Sequence, residues 1–189
     1  MKITLTILMT LLSATLALES FADTTTALQD KEYGWWQNGK PVPDSDNIKS
    51  KDGFGVQMWI TNDESFFDDW KKPETPKLRF TETAIRNKKV FIIFLFINPG
   101  LDQSSTANVI ADVLIKAPDG EIYGSFKDME IWQRVYDTPR NSIQLGVGHL
   151  GLVIEDGEQL GTYKIEAVIK DELKAITLKV QTEFTAKEK

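Results

Sequence analysis

The sequence contains no cysteine and only one histidine, and these shortages remove several classes of chemistry. Without cysteine there is no disulfide framework, no thiol nucleophile and no thiolate ligand for a metal. His149 is the one residue on which a Ser-His-Asp arrangement could depend. It lies in a glycine-rich apolar stretch, and no serine occupies a Gly-x-Ser-x-Gly motif. We therefore predict no catalytic residue, no metal site and no cofactor, with His149 packed in a strand or facing solvent.

Basic residues are fewer than acidic ones: 22 Lys and Arg against 28 Asp and Glu give a formal net charge of −6. Proteins that bind nucleic acid neutralise phosphates with clustered Lys and Arg. Anionic lipid surfaces likewise attract basic segments. The acidic balance therefore argues against both kinds of partner.

One apolar stretch, residues 3–18, follows a positively charged start. Ser20 and Ala22 are small residues two positions apart, as signal peptidase requires. This pattern predicts a signal peptide at 1–22, with cleavage after Ala17 or an uncleaved membrane anchor as alternatives. A membrane span takes roughly 20 apolar residues, which favours the signal peptide. The predicted location is the periplasm or the exterior, with no membrane insertion after cleavage.

Residues 90–97 are eight apolar residues without interruption, rich in Ile, Phe and Val. Turn residues bound this run on both sides, and Asn98, Pro99 and Gly100 follow it. A short run of β-branched and aromatic residues between turn signals indicates a buried strand rather than a helix. We predict that this strand is central to the fold.

Alternation of apolar and polar residues predicts seven further strands, and no long helical pattern is present. The seven strands are 53–61, 78–80, 109–115, 121–126, 142–154, 162–170 and 176–184. Residues 127–140 are predicted to be a long connection, and the glycines within 142–154 indicate a bulge or a close backbone approach. The predicted fold is all-β: an antiparallel immunoglobulin-like β-sandwich of about eight strands at 53–189. An irregular extension at 23–52 precedes it.

The last third of the chain carries a pattern of closing strands. A Gly161-Thr162-Tyr163 turn leads into alternating residues, and Phe184 closes the next strand. This pattern resembles exported bacterial immunoglobulin-like modules of the macroglobulin and fibronectin types. The resemblance implies that Tyr163, shortly after Gly161, is a corner tyrosine whose hydroxyl binds upstream backbone. It concerns the fold and implies no particular activity.

Residues 62–70 interleave carboxylates with large aromatic rings, and another aromatic pair lies near the start of the irregular extension. Flat rings beside carboxylates suit a groove for a sugar or a peptide. The residues predicted to bind a ligand are Asp63, Glu64, Asp68, Asp69, Trp70, Trp35 and Trp36. Three alternatives are a calcium site, whose usual spacing is absent, a solvated acidic loop, and loops that bury the rings as a satellite core.

Two functions are compatible with these observations. The first is a non-catalytic exported binding module, such as an accessory protein or an inhibitor, whose partner is another exported protein, a peptide or a glycan. The second is a carboxylate-based hydrolase of an envelope polysaccharide or peptide, with acids from Asp63, Glu64, Asp68 or Asp69. It would need one carboxylic acid with a raised pKa in a cleft. The lack of a catalytic motif favours the first, and we predict that the chain is not an enzyme.

Overall fold

The central apolar run belongs to a strand that is buried on both of its faces. In this computed structural model, which describes residues 34–74, 76–139 and 141–189, the strand extends over Lys89–Ile97. Successive side chains of a strand point to opposite faces. One face carries Val90, Ile92, Phe94 and Phe96, and the other carries Phe91, Ile93, Leu95 and Ile97. The run is continuous because both sets of side chains are buried.

Twelve strands and one short helix occur in the described ranges. The strands are β1 (Trp36–Gln37), β2 (Lys40–Pro41), β3 (Ile48–Lys51), β4 (Phe54–Thr61), β5 (Thr83–Ile85), β6 (Lys89–Ile97), β7 (Thr106–Lys116), β8 (Ile122–Val135), β9 (Gln144–Leu145), β10 (Leu150–Val153), β11 (Gly161–Asp171) and β12 (Ile176–Lys187). The helix α1 (Phe66–Asp69) lies between β4 and β5.

The strands form two five-stranded sheets and one small hairpin. Sheet I has the order β10-β6-β4-β3, with β9 also paired to β6. Sheet II has the order β5-β12-β11-β7-β8, and β1 and β2 form the hairpin. Every pairing is antiparallel except that of β5 with β12. The predicted fold class, an antiparallel immunoglobulin-like β-sandwich, is confirmed, and the strands beyond the predicted eight are short.

Two hydrophobic cores hold this arrangement together. The main core lies between the sheets and takes its largest side chains from β4, β6, β11 and β12, including Phe54, Phe94, Tyr163 and Phe184. The second core covers the outer face of sheet I, where Trp35 and Phe66 pack against the outward side chains of β6. Sheet I is therefore buried on both faces, whereas sheet II has one open face.

Strand bounds differ from the sequence-based predictions around β5 and β8. Leu78 and Phe80 are not in a strand, and the edge strand is β5 instead. Phe80 stacks on Trp59 with ring centroids 4.2 Å apart, so its apolar side chain covers a ring rather than one face of a strand. Residues 127–140 are not simply a connection, because β8 continues to Val135. Three register shifts in the β7–β8 pairing break the alternation that would have revealed this length.

The predicted strand at 142–154 is divided into β9 and β10, because the chain between them crosses to sheet II. The Val147 N–H donates to the Ile131 carbonyl at 3.0 Å, whereas the Gly146 N–H donates to Phe94 at 2.8 Å. A Cβ at Gly148 would overlap the carbonyl oxygen of Glu130, so only glycine fits there. The glycines thus permit the close backbone approach that the sequence indicated.

The N-terminal extension is more regular than predicted where the structure describes it. Residues 34–52 contain the β1–β2 hairpin and β3, and β3 adds to sheet I beside β4. The Asp46 carbonyl accepts from the Gln181 N–H at 2.8 Å, which joins this extension to β12 of sheet II. The predicted signal peptide at 1–22 and residues 23–33 lie outside the described residues.

Tyr163 lies near the start of β11, and its hydroxyl donates to the Gln159 carbonyl at 2.9 Å, four residues upstream. Its ring is buried and stacks on Phe184 with centroids 5.2 Å apart. Gly161 begins β11 with φ of 129°, and a Cβ there would lie 3.1 Å from Pro118. Burial of the ring raises the pKa of the Tyr163 hydroxyl, so the group remains a neutral donor.

Replacing Tyr163 with Phe is expected to lower the free energy of unfolding by about 1 kcal/mol, because the ring packing remains while one hydrogen bond is lost. The measurement is a urea melt, in which the midpoint falls and the m-value stays constant. A midpoint equal to that of the wild type would show that the hydrogen bond from this hydroxyl to the Gln159 carbonyl does not stabilise the fold.

Candidate functional site

The predicted aromatic site at 62–70 is packed against the protein itself. Phe66 is buried, and Phe67 and Trp70 are partly buried against the outer face of sheet I. Phe66 lies 5.6 Å from Trp70 between ring centroids, and Phe67 lies 5.0 Å from Phe91. These rings form the second core, which was one of the alternatives that the sequence left open.

Each predicted acidic residue of this segment has a basic partner within the described part of the chain. The pairs are Asp63 with Arg79 (3.7 Å), Glu64 with Lys89 (3.6 Å), Asp68 with Lys71 (3.0 Å) and Asp69 with Lys72 (2.7 Å). A hydrogen bond from the Ser65 hydroxyl, together with Arg79, holds the pKa of Asp63 below its usual value. Exposed pairs of this kind contribute little stability, but they balance the local charge. The segment therefore offers a basic partner few uncompensated carboxylates.

The two neighbouring tryptophans of the extension have different environments. Trp35 is 3% exposed in the second core, and its indole N–H donates to the Lys49 carbonyl at 3.3 Å. Trp36, the next residue, is 60% exposed at the start of β1. The structure thus brings Trp35 and Trp70 into one core and leaves Trp36 at the surface. A ligand-binding role for the predicted residues remains a prediction.

His149 is exposed and immediately precedes β10, so it is not within a strand. Its ring lies 4.5 Å from that of Phe67 between centroids. Within the described ranges, no group of three or more His, Cys, Asp or Glu side chains is arranged to hold a metal ion. The same ranges contain no helix that is long and apolar enough to span a membrane.

The open face of sheet II carries a groove of about 630 Å³ that the sequence analysis did not identify. It crosses β12, β11, β7 and β8 at right angles to the strands, because its lining residues are neighbours in register. The floor follows the positions where Val180, Ala167 and Val113 turn their side chains into the core. We call this feature the sheet II groove.

Two rows of outward side chains border the floor of the groove. The first row is Gln181, Glu166, Leu114 and Ser125, and the second is Lys179, Val168, Asp112 and Lys127. Residues two apart in a strand are about 7 Å apart, and three strand spacings cover about 14 Å. The two rows are therefore about 7 Å apart, and each row is about 14 Å long.

A β-bulge and three ion pairs hold the charged side chains of the rows other than Lys179, and one of these pairs joins Lys127 to Asp112 at 3.7 Å. Lys127 and Asp128 lie opposite Asp112, and the Asp128 N–H donates to its carboxylate at 3.0 Å. Lys170 binds the same carboxylate at 2.9 Å, and Lys116 binds Glu166 at 2.6 Å. The Asp128 N–H and the Lys170 ammonium hold the pKa of Asp112 below its usual value. The lowered pKa keeps the Asp112 carboxylate in its charged form.

The end of the groove beside β3 has a different electrostatic character. Lys49 and Lys179 line this end, and within the described residues no carboxylate forms an ion pair with either ammonium group. Asp46, the remaining charged residue at this end, is exposed and does not reach either lysine. Two ammonium groups and one carboxylate leave this end locally positive in a protein whose net charge is −6.

The sequence contains part of the signal for this groove. The outward positions of β7, β11 and β12 mix aliphatic with charged residues, as Asp112, Leu114, Glu166 and Val168 show. A fully solvated face would carry few aliphatic side chains. Only the pairing register, however, aligns these positions into two rows.

Comparisons with known proteins give distant structural similarities. No family model and no curated protein matches this chain. Its fold is similar to a family 123 glycoside hydrolase from Clostridium perfringens, with 10% identity and a TM-score of 0.41, over 71% of this chain but only 27% of that one. It is also similar to a Niemann-Pick type C2 protein from the Japanese carpenter ant, with 14% identity and a TM-score of 0.34, over 70% of this chain and 89% of that one. Similarities at this level assign no activity to the sheet II groove.

Proposed function

We propose that this chain is a non-catalytic exported binding module whose ligand lies in the sheet II groove. The observation that carries this proposal is the groove itself, with its volume of about 630 Å³. Its borders lie on four paired strands and are fixed by ion pairs, so little conformational entropy is lost when a ligand binds. The predicted signal peptide at 1–22 supports export, and the expected partner is another exported protein, a peptide or a glycan.

The state of the groove carboxylates favours binding over the alternative of carboxylate-based hydrolysis. A general acid for hydrolysis needs a raised pKa so that it holds its proton near neutral pH. Asp112 has a lowered pKa, and Glu166 is bound to the Lys116 ammonium at 2.6 Å. Both groups suit the recognition of polar ligand atoms better than proton transfer.

Filling the groove at its centre tests the proposal. Val168 is half-buried in the second row, so Val168→Trp would place a large ring over the floor. The matched control is Thr177→Trp, a change at an outward β12 position that does not line the groove. We expect Val168→Trp to reduce ligand retention about tenfold or more, which corresponds to a loss of roughly 1.4 kcal/mol.

The measurement uses residues 23–189, immobilised and incubated with periplasmic extract and with isolated envelope polymers from the source organism. Retained material is quantified for the wild type and both variants, after melting curves show that all are folded. Equal retention by the wild type and Val168→Trp would contradict a ligand site in the groove. Release of new polymer ends that is abolished by Asp112→Asn or Glu166→Gln would instead support the hydrolase.

A further inference from the structure

We propose that the ligand of the sheet II groove is an extended peptide segment with one acidic side chain, which binds between Lys49 and Lys179. This inference rests on the proposed function and specifies the ligand. It is carried by three properties of the groove: two ammonium groups at one end that pair with no described carboxylate, the aliphatic centre, and the length of about four strands.

The charges identify the polar part of the ligand. Lys49 and Lys179 have no ion-pair partner among the described residues, whereas Asp112 and Glu166 are engaged by Lys170 and Lys116. A ligand carboxylate at the β3 end would therefore meet two ammonium groups without displacing an internal pair. Complementary charge at a groove end sets the orientation of a bound chain and favours the matching partner.

The same charges disfavour a polyanionic chain such as an acidic glycan. A glycan with an acid on each repeat would bring further carboxylates next to Asp112, Glu166 and Asp128. The net charge of −6 would also repel it at long range. One acid at one end matches the groove, whereas several do not.

The centre of the groove indicates an apolar side chain in the ligand. Leu114 and Val168 are half-buried aliphatic residues in the two rows, whereas the outward residues at the β8 end are the polar Ser125 and Lys127. Sugar rings bind best on flat aromatic faces, whereas branched aliphatic side chains pack well against Leu and Val. The centre of the groove therefore favours a peptide side chain over a sugar ring.

The length of the groove sets the spacing of the ligand. An extended peptide rises about 3.4 Å per residue and places every second side chain on one face. Three side chains at alternate positions therefore cover about 14 Å, which equals three strand spacings. The expected sequence is an acidic residue, then an aliphatic residue two positions away, then a polar residue two positions farther, opposite Ser125 and Lys127.

The test uses a synthetic fluorescein-labelled hexapeptide with blocked ends, with Glu and Leu at its second and fourth positions and Ser elsewhere. Binding to residues 23–189 is measured by fluorescence anisotropy. The matched peptide has Gln in place of Glu. We expect the Glu peptide to bind about tenfold more tightly than the Gln peptide, and this difference to shrink as salt is added.

Protein variants locate the acidic side chain. Lys49→Gln and Lys179→Gln are each expected to weaken binding of the Glu peptide by about threefold, and neither should affect the Gln peptide. The control Lys71→Gln removes an ammonium group that pairs with Asp68 in the loop covering sheet I, and it should change nothing. Lys179→Glu is expected to abolish binding of the Glu peptide. It is also expected to bind a peptide with Lys in place of Glu more tightly than the wild type does.

Several outcomes would overturn the inference. Equal binding of the Glu and Gln peptides, no binding of either, or no effect of the two lysine variants would each do so. Tighter binding of hexagalacturonate than of the Glu peptide, blocked by Val168→Trp, would identify an acidic glycan instead. The proposed function is tested separately by the retention experiment with extract and envelope polymers. It stands if Val168→Trp retains less material than the wild type, and it is contradicted if the two retain equal amounts.

Discussion

Replacing Phe66 with Ala is expected to lower the free energy of unfolding by about 3–4 kcal/mol. Phe66 is 1% exposed, and its ring contacts Phe67 and Trp70 at centroid distances of 5.7 and 5.6 Å. Truncation would remove the favourable free energy of burying the Phe66 ring. It would also leave a cavity beneath the loop that covers sheet I. The second core would then be expected to lose much of its contribution to stability.

The matched control is Leu78→Ala, because Leu78 belongs to the same covering segment but is 38% exposed. Its expected cost is within about 0.5 kcal/mol. Urea melts of the wild type and both variants give the free energies, and an unchanged m-value shows that the whole domain unfolds together. A cost below 1 kcal/mol for Phe66→Ala would mean that the segment is loosely attached and free to act as a binding loop.

The second large effect is expected at Asp171, whose carboxylate is buried where β11 ends. It accepts the N–H of Gly100 at 2.6 Å, of Leu173 at 3.1 Å and of Lys174 at 3.0 Å. These bonds hold the β11–β12 turn and attach the loop after β6 to it. Asp171→Ala would leave three backbone donors without their acceptor, at an expected cost of about 3 kcal/mol.

Two further variants separate the acceptor role of Asp171 from its size. Asp171→Asn keeps the shape and one oxygen, so its expected cost is about half that of the alanine variant. Glu172→Ala changes an exposed neighbour and should be nearly neutral. A loss below about 0.5 kcal/mol for Asp171→Ala would show that water replaces the carboxylate at all three donors.

These expectations change the interpretation of the acidic-aromatic segment at 62–70. Its sequence suggests a ligand surface, because rings and carboxylates alternate in a short stretch. In the fold, Phe66 and Trp70 pack on sheet I, and Asp68 and Asp69 pair with Lys71 and Lys72. Local sequence shows which rings and carboxylates are present, but it does not show which residues they pack against or pair with.

The amino-acid sequence alone determined the β-sandwich class, because side-chain alternation and turn residues are local properties of the chain. The uninterrupted run of β6 indicated a central buried strand for the same reason. The length of β8 was not predictable, since its bulges interrupt the alternation. The two faces of sheet I were also not predictable, because burial of the outer face depends on residues 35–48 and 66–70, which are distant in sequence from β6.

The sheet II groove depended entirely on tertiary structure. Lys179, Val168 and Asp112 are outward residues of three strands, and nothing in their own segments shows that they are neighbours. The pairing register of β12, β11 and β7 aligns them, and β3 adds Lys49, which lies 63 positions before Asp112 and 130 before Lys179. Strand register decides which residues of a surface that crosses several strands become neighbours. Register is in turn set by long-range packing of the opposite, buried face.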